Sequence, residues 1–142
     1  MMHVLDTHVV SELRKVRFGK ADTNVAAWTQ GVDAADLFVS AITIMELELG
    51  VLLHERKDAT QGAMLRSWLE QQVLPEFSER TLPVDTAVAQ RCARLHVPDK
   101  RNERDALIAA TALVHGMTVV TRNVADFKLT GVRLLNPWEI SR

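Results

Sequence analysis

A single cysteine in 142 residues, Cys92, leaves no partner for an intrachain disulfide and no second thiolate for a zinc cage. Its place among Ala89, Ala93 and Leu95 suits a small buried apolar group. No run approaches the ~18 apolar residues of a membrane span, and the N-terminus, with His3 and Asp6, lacks the basic and long apolar stretches of a signal peptide. The expectation is a soluble, cytoplasmic protein with no membrane partner. Charge of one sign is missing too: 17 Lys+Arg against 18 Asp+Glu give a net charge of -1. No overall positive field therefore advertises nucleic-acid binding, which is left to two local clusters. These are Arg14, Lys15, Arg17 and Lys20, and Lys100, Arg101 and Arg104, both of which also read as solvated loops.

Several catalytic signatures are absent as well. There is no P-loop, no Gly-x-Gly-x-x-Gly and no Gly-x-Ser-x-Gly, which sets aside nucleotide-cofactor enzymes and the serine hydrolases of the elbow type. His54-Glu55 begins like a metalloprotease signature, but Asp58 stands where the second histidine belongs. The five histidines are scattered, which favours structural or exposed roles.

What is present is one domain's worth of chain, residues 1–142, with 47% hydrophobic residues and hence a sizeable core. Val4 and Leu5 read as a buried strand that stops on Asp6, and residues 7–15 place Val9, Val10 and Leu13 at helical spacing. A helix over 21–30 follows with Asp22, Thr23 and Asn24 as capping types, then a strand over 36–40. From Ser40, a cap, to residue 56 the chain is apolar nearly all round, which predicts a largely buried helix. A further helix over 60–73, with Met64, Trp68 and Leu69 inward, is predicted to close at Leu74-Pro75. Residues 80–82 form a short strand, Asp85 caps a helix to Leu95, and 97–102 is a loop. The most apolar helix follows Glu103-Arg104-Asp105 and ends at Gly116. Strands over 117–121 and 132–135 flank a polar loop, Arg122 to Asp126. Trp138 near the end reads as core or interface. Strands alternating with helices predict an α/β fold, a central, mostly parallel sheet sandwiched between helices.

Three acids stand out in that frame. Asp6 ends a strand, where open α/β sheets collect ligands. At ~100° per residue Glu46 lies about 200° from Glu48, whereas Glu48 and Glu55 share a face, so Glu46 is the one predicted to face inward. A buried carboxylate needs a salt-bridge partner or a metal, and both remain open. Asp105 lies in a first helical turn, where an acid also complements the helix dipole. Together with the polar loop to Asp126 they predict an acidic cluster on one sheet edge, suited to Mg²⁺ or Mn²⁺ and to phosphodiester chemistry.

The stretches 5–13, 40–50, 105–112 and 121–127, together with Asn136-Pro137-Trp138, resemble the PIN domain, and most nearly its VapC and FitB toxin group. The resemblance implies a Mg²⁺- or Mn²⁺-dependent ribonuclease, the toxin of a toxin–antitoxin pair, that leaves 5′-phosphate and 3′-hydroxyl ends. It also implies a homodimer and a small DNA-binding antitoxin partner. Asp6, Glu46 and Asp105 match the family's three core acids and are the expected metal ligands. The fourth position falls in the loop after Thr121, where the FitB branch has an acid and this chain has Asn123, with Asp126 three residues on; both are expected to take part. His8 stands where the family usually has Asn. Thr7, Ser40, Thr121 and Arg122 are expected to orient carboxylates or phosphate, and the two basic clusters to contact RNA. Two other readings remain, an aspartate-based phosphotransfer domain using Asp6 and a catalytically inactive PIN-like module with Glu46 and Asp105 paired to Arg104 or Arg122.

Overall fold

A computed structural model describes residues 1–139. Five strands, β1 (His3–Leu5), β2 (Leu37–Ser40), β3 (Thr81–Leu82), β4 (Thr118–Val120) and β5 (Leu134–Leu135), form one sheet in the order β3-β2-β1-β4-β5. Every pairing is parallel, with Val4 opposite Phe38 on one side and Val119 on the other. The chain builds outward from β1 to β2 and β3, then returns across the sheet to add β4 and β5. β1 is therefore the switch point, and its carboxyl end is where two neighbouring connections depart in opposite directions.

Alternation along these short strands makes two cores. Leu5, Val39 and Val120 face one way, onto Val9 and Val10 of α1 (Thr7–Arg14) and Leu47 and Val51 of α3 (Ala41–Lys57). Val4 and Val119 face the other way, onto Ile108, Ala109 and Ala112 of α7 (Glu103–His115), and Phe127. Ala109, Ala110 and Ala112 are wholly buried, as expected for a helix laid closely on a sheet. Behind α7, α6 (Thr86–Leu95) packs Val88 and Cys92 against Ala106 and Ala110. The sandwich expected from the sequence is present, and its sheet is wholly parallel.

Local capping is as the sequence predicts. Asp22 accepts from the N–H groups of Asn24 and Val25 to start α2 (Thr23–Gln30), Ser40 accepts from Ile42, and Asp85 from Val88. Gly116 ends α7 in the left-handed region at φ 66°, where a side chain would be strained.

Three expectations fail, each for a tertiary reason. α3 is not largely buried: Thr43, Leu47 and Val51 face the core, but Met45, Leu49, Leu52 and Leu53 are exposed. Its all-round apolarity carries no period that marks an outer face. Met64 is also exposed, because α4 (Ala59–Trp68) turns Leu65 and Trp68 to the core instead. Nor does the helix stop at Leu74-Pro75. It passes through a π turn (Leu69–Val73), in which the Leu74 N–H reaches the Leu69 carbonyl five residues back, into α5 (Leu74–Glu76). The wider turn accommodates a proline that has no N–H to give.

Gly62 shows how tightly α4 meets α3. A β-carbon there would lie 2.6 Å from the Glu55 α-carbon, a backbone atom that cannot step aside. Across the same contact Arg66 bridges Glu48 at 2.7 Å and Glu55 at 3.1 Å, confirming that those two acids share a face. Gly62→Ala should destabilise the protein by about 1–3 kcal/mol despite alanine's better helix propensity, seen as a lower urea midpoint. An unchanged midpoint would mean that the two helices part without loss. Among the described residues no helix is long and apolar enough to cross a membrane.

Candidate active site

Asp6 follows β1 and caps α1. Its backbone N–H donates to the Val120 carbonyl at 2.9 Å, which ties it to the neighbouring strand end. Its Oδ1 accepts from the Thr7 N–H at 2.8 Å and its Oδ2 from the Thr121 hydroxyl at 2.8 Å. The residue is only 4% exposed. Burial pushes its pKa up, the bonds from Thr121 and Thr7 pull it back, and nearby Glu46 raises it again.

Glu46 faces inward from α3, as the wheel argument requires. Its Oε1 accepts from the Thr7 hydroxyl at 2.6 Å, and that hydroxyl lies 3.2 Å from the hydroxyl of wholly buried Thr43. Thr43 is not among the residues the sequence singles out, although its position three residues before Glu46 places it on the same helix face. The other oxygen, Oε2, lies 3.6 Å from Arg104 Nη1, too long for a direct hydrogen bond.

Asp105 comes from the first turn of α7, whose start is capped by the Asn102 side chain accepting from the Asp105 N–H at 3.1 Å. Its pKa is pushed up to about 6, first by burial, then by the charges of Asp6, Asp126 and Glu46, against a smaller opposing effect of His8. Asp126 belongs to a short helix, α8 (Val124–Phe127), and Asn123 immediately precedes it, where the sequence suggests only a loop. Asn123 is placed by its N–H donating to Thr121 Oγ1 at 3.0 Å, so one threonine fixes both Asp6 and this segment.

All five expected site residues line one cleft of about 370 Å³, together with Thr7, His8 and Arg104. Four carboxylates thus arrive from β1, α3, α7 and α8, elements up to 120 residues apart in sequence. Leu49 and Leu53, from the exposed face of α3, form part of the wall.

The supporting residues divide. Thr7 and Thr121 hold carboxylates, as expected, whereas Ser40 is spent on capping α3. Arg122 points away from the acids and lies over the Trp138 ring at 5.3 Å. Of the basic clusters, Lys15 pairs with Glu12 at 3.1 Å and Arg14 lies 5.9 Å from the centre of the Trp68 ring. Arg101 donates to the Leu95 carbonyl at 2.6 Å and so braces its own loop. Only Arg104 of these reaches the cleft.

The donor set suits a hard cation: four carboxylates converge on the cleft, against one guanidinium, Arg104, and one imidazole, His8. Among the described residues these carboxylates do not close into a finished cage of three or more ligands. Mg²⁺ does not require one, since it keeps several waters and binds through one or two carboxylates plus phosphate oxygens. Burial first, and then the Asp6, Asp126 and Glu46 charges, raise the pKa of Asp105, and a cation in the cleft would relieve the second of these.

The PIN-domain family model matches residues 3–131. The chain belongs to the PIN-domain family. This PIN domain is 36% identical over 143 residues to VapC ribonuclease Y4jK of Sinorhizobium fredii, with 97% of this chain and 99% of that protein covered. It is 38% identical over 142 residues to toxin FitB of Neisseria gonorrhoeae, covering 96% and 99%. Among solved structures, FitAcB from Neisseria gonorrhoeae superposes with a TM-score of 0.87 at 35% identity, covering 98% of this chain and all of that one. FitAB bound to the IR36 DNA fragment does so with a TM-score of 0.88 at 34% identity, covering 99% of each.

Proposed function

We propose that this PIN domain is an endoribonuclease, the toxin of a toxin–antitoxin pair, acting in the cytoplasm on RNA. The observation that carries the reading is the convergence of Asp6, Glu46, Asp105 and Asp126 on one cleft beside the sheet's switch point, with Asp105 pushed up to about 6 by burial and by the charges of the other three. In this reading Asp6, Glu46 and Asp105 would hold Mg²⁺ or Mn²⁺, directly or through the ion's own waters, with Asn123 and Asp126 taking part from the segment after Thr121. Such an ion, when bound, would supply an activated water and would stabilise charge developing on phosphate oxygens.

The chain's own groups supply the positioning. The Thr121 and Thr7 donors fix the Asp6 carboxylate in one rotamer, and the Thr7 hydroxyl fixes Glu46. Asp105 and Asp126 line the same cleft. His8 at the mouth and Arg104 beside Glu46 are the cationic and polar groups within reach of a phosphate. Water attacks phosphorus, the bond to the 3′-oxygen breaks and that oxygen takes up a proton. The ends are then 5′-phosphate and 3′-hydroxyl, with the ribose 2′-hydroxyl unused.

The similarity to FitB and to the FitAcB and FitAB structures supports a cognate small DNA-binding antitoxin as partner. The exposed stripe of Met45, Leu49 and Leu52 on α3 supports a homodimer.

The competing readings fit less well. An Asp6 phosphotransfer centre of the aspartate-phosphatase pattern would carry a second acid where His8 stands. An inert module would pair its acids, yet among the described residues only Glu46 has a basic neighbour, and that at 3.6 Å.

The test is incubation of partner-free protein with 5′-labelled bacterial RNA in Mn²⁺, Mg²⁺ or chelator. Cuts that need metal, carry 3′-hydroxyl ends and vanish in Asp6→Ala are expected. Cutting that persists in chelator, or in Asp6→Ala, removes the acidic cluster from the mechanism.

A further inference from the structure

A second polar groove, of about 310 Å³, adjoins the acidic cleft and shares His8 and Asn123 with it. Ser11 of α1 and Lys15 just after that helix line it, together with Arg122 and Trp138. No step of the hydrolysis uses it. We infer that this groove binds the phosphodiester next to the one cleaved, with the Arg122 guanidinium as its ligand, so that the RNA strand crosses the saddle between His8 and Asn123. The inference rests on the ribonuclease reading of the neighbouring cleft.

Four observations carry it. Arg122 is exposed, and among the described residues it forms no salt bridge within 4 Å, so its donors are open to an anion. Its carbon Cζ lies 5.3 Å from the centre of the Trp138 ring, which holds the guanidinium without consuming its N–H edge. The backbone that carries Trp138 is anchored, since its backbone N–H donates to Asn136 Oδ1 at 3.0 Å and its backbone carbonyl accepts from Asn24 Nδ2 at 2.7 Å. A positioned fork loses less side-chain freedom on binding a phosphate than a free arginine would.

The fourth observation is the local charge. Glu12 also lines the groove, but it is covered by Lys15 Nζ at 3.1 Å and by the Asp22 N–H at 2.8 Å. The surplus charge is therefore the guanidinium. It stands one residue from Asn123, on the edge of a cleft whose carboxylates would otherwise repel the strand. A polyanion entering that cleft needs a cation beside it, and Arg122 is placed to supply one.

The test compares wild type, Arg122→Ala and Arg122→Lys on whichever RNA the wild type cuts. It adds the fluorescence anisotropy of a mixed-sequence 12-nucleotide single-stranded RNA bound to Asp105→Asn protein with and without Arg122→Ala. Arg122→Ala should raise KM about five- to twenty-fold with kcat within about two-fold, and Arg122→Lys should recover part of the loss. The slope of log affinity against log salt should fall by about 0.7, one single-strand phosphate contact. Because Arg122 is exposed and only its stack on Trp138 is lost, the melting temperature should fall by no more than about 5 °C, which separates this result from a folding defect.

If Arg122→Ala cuts and binds RNA as the wild type does, with the same salt slope, the groove is not on the RNA path and the ribonuclease reading stands. The groove is equally off the RNA path if the substitution weakens only the grip of a protein partner. If wild type neither cuts nor binds RNA, both readings fall together.

Discussion

Asp105→Asn is expected to lower metal-dependent RNA cleavage at least about 1000-fold while making the protein more resistant to unfolding in chelator. The two effects have one cause. Asp105 in the folded chain titrates near 6 rather than at the ordinary 3.8, because burial and the Asp6, Asp126 and Glu46 charges all oppose its ionisation. A folded-state pKa above the unfolded value means that the folded chain binds the proton more tightly. Stability without metal should thus rise as pH falls from about 7 through 6 towards 4, and the ionised side chain should weaken the fold above about 7. The full shift would correspond to about 3 kcal/mol, and for a half-buried group about 1–2 kcal/mol is the realistic share. Asparagine keeps the shape and removes the charge, so the gain should appear at pH 7.5 and shrink towards pH 4.5. Urea unfolding at the two pH values, with and without Mg²⁺, provides the check. Mg²⁺ should stabilise wild type more than the variant. A variant less stable than wild type at pH 7.5 in chelator would show that the carboxylate has a favourable partner in the folded state.

The second large effect should come from a residue that touches none of the chemistry. Phe127 is the largest wholly buried side chain, packed with Val4, Ile108 and Val119 beneath α8. Truncating it to alanine should cost about 3–5 kcal/mol, lowering the melting temperature by about 10–15 °C. Its placement adds a functional consequence. α8 carries Asp126, and its start carries Asn123, while the only side chain that sinks this four-residue helix into the core is Phe127. Phe127→Ala should therefore lose cleavage at temperatures where circular dichroism still reports a folded sheet, whereas Phe127→Leu should keep most of both. Activity and melting that fall strictly together would mean that α8 is held by its ends rather than by that side chain.

Much of this protein is legible in its sequence because the signals involved are local. Asp22, Ser40, Asp85 and Gly116 announce helix ends through bonds made within three residues or through a backbone angle, and the structure places each where expected. Val4-Leu5 and Val119-Val120 are apolar on both faces because they are sandwiched, which is how a central parallel strand reads. Asp6, Glu46 and Asp105 are visible as acids that their local patterns do not fully explain.

The failures lie where the deciding contact is distant. An apolar helix gives no sign of which side stays open, so the exposure of Met45 and Leu52 depends on what else the fold supplies to cover them. Pro75 stops a regular helix, but a π turn before it does not oblige. Arg101 and Arg122 look alike in sequence, yet one is tied to the Leu95 carbonyl and the other rests on an indole 16 residues further on.

By itself, then, the chain's pattern of periods and caps determined an α/β/α sandwich, because hydrophobic period and end-capping act over a few residues. It also supplied the acids, since a carboxylate out of place on an apolar face is visible as such. Only the tertiary structure decided that four of them share one cleft, that Thr121 holds both Asp6 and the Asn123 segment, and that Arg122 stands beside that cleft rather than within it. The reason is that electrostatic and hydrogen-bonding partners meet through space, and nothing short of the assembled parallel sheet with its helices brings residues 6, 46, 105 and 126 to the same edge.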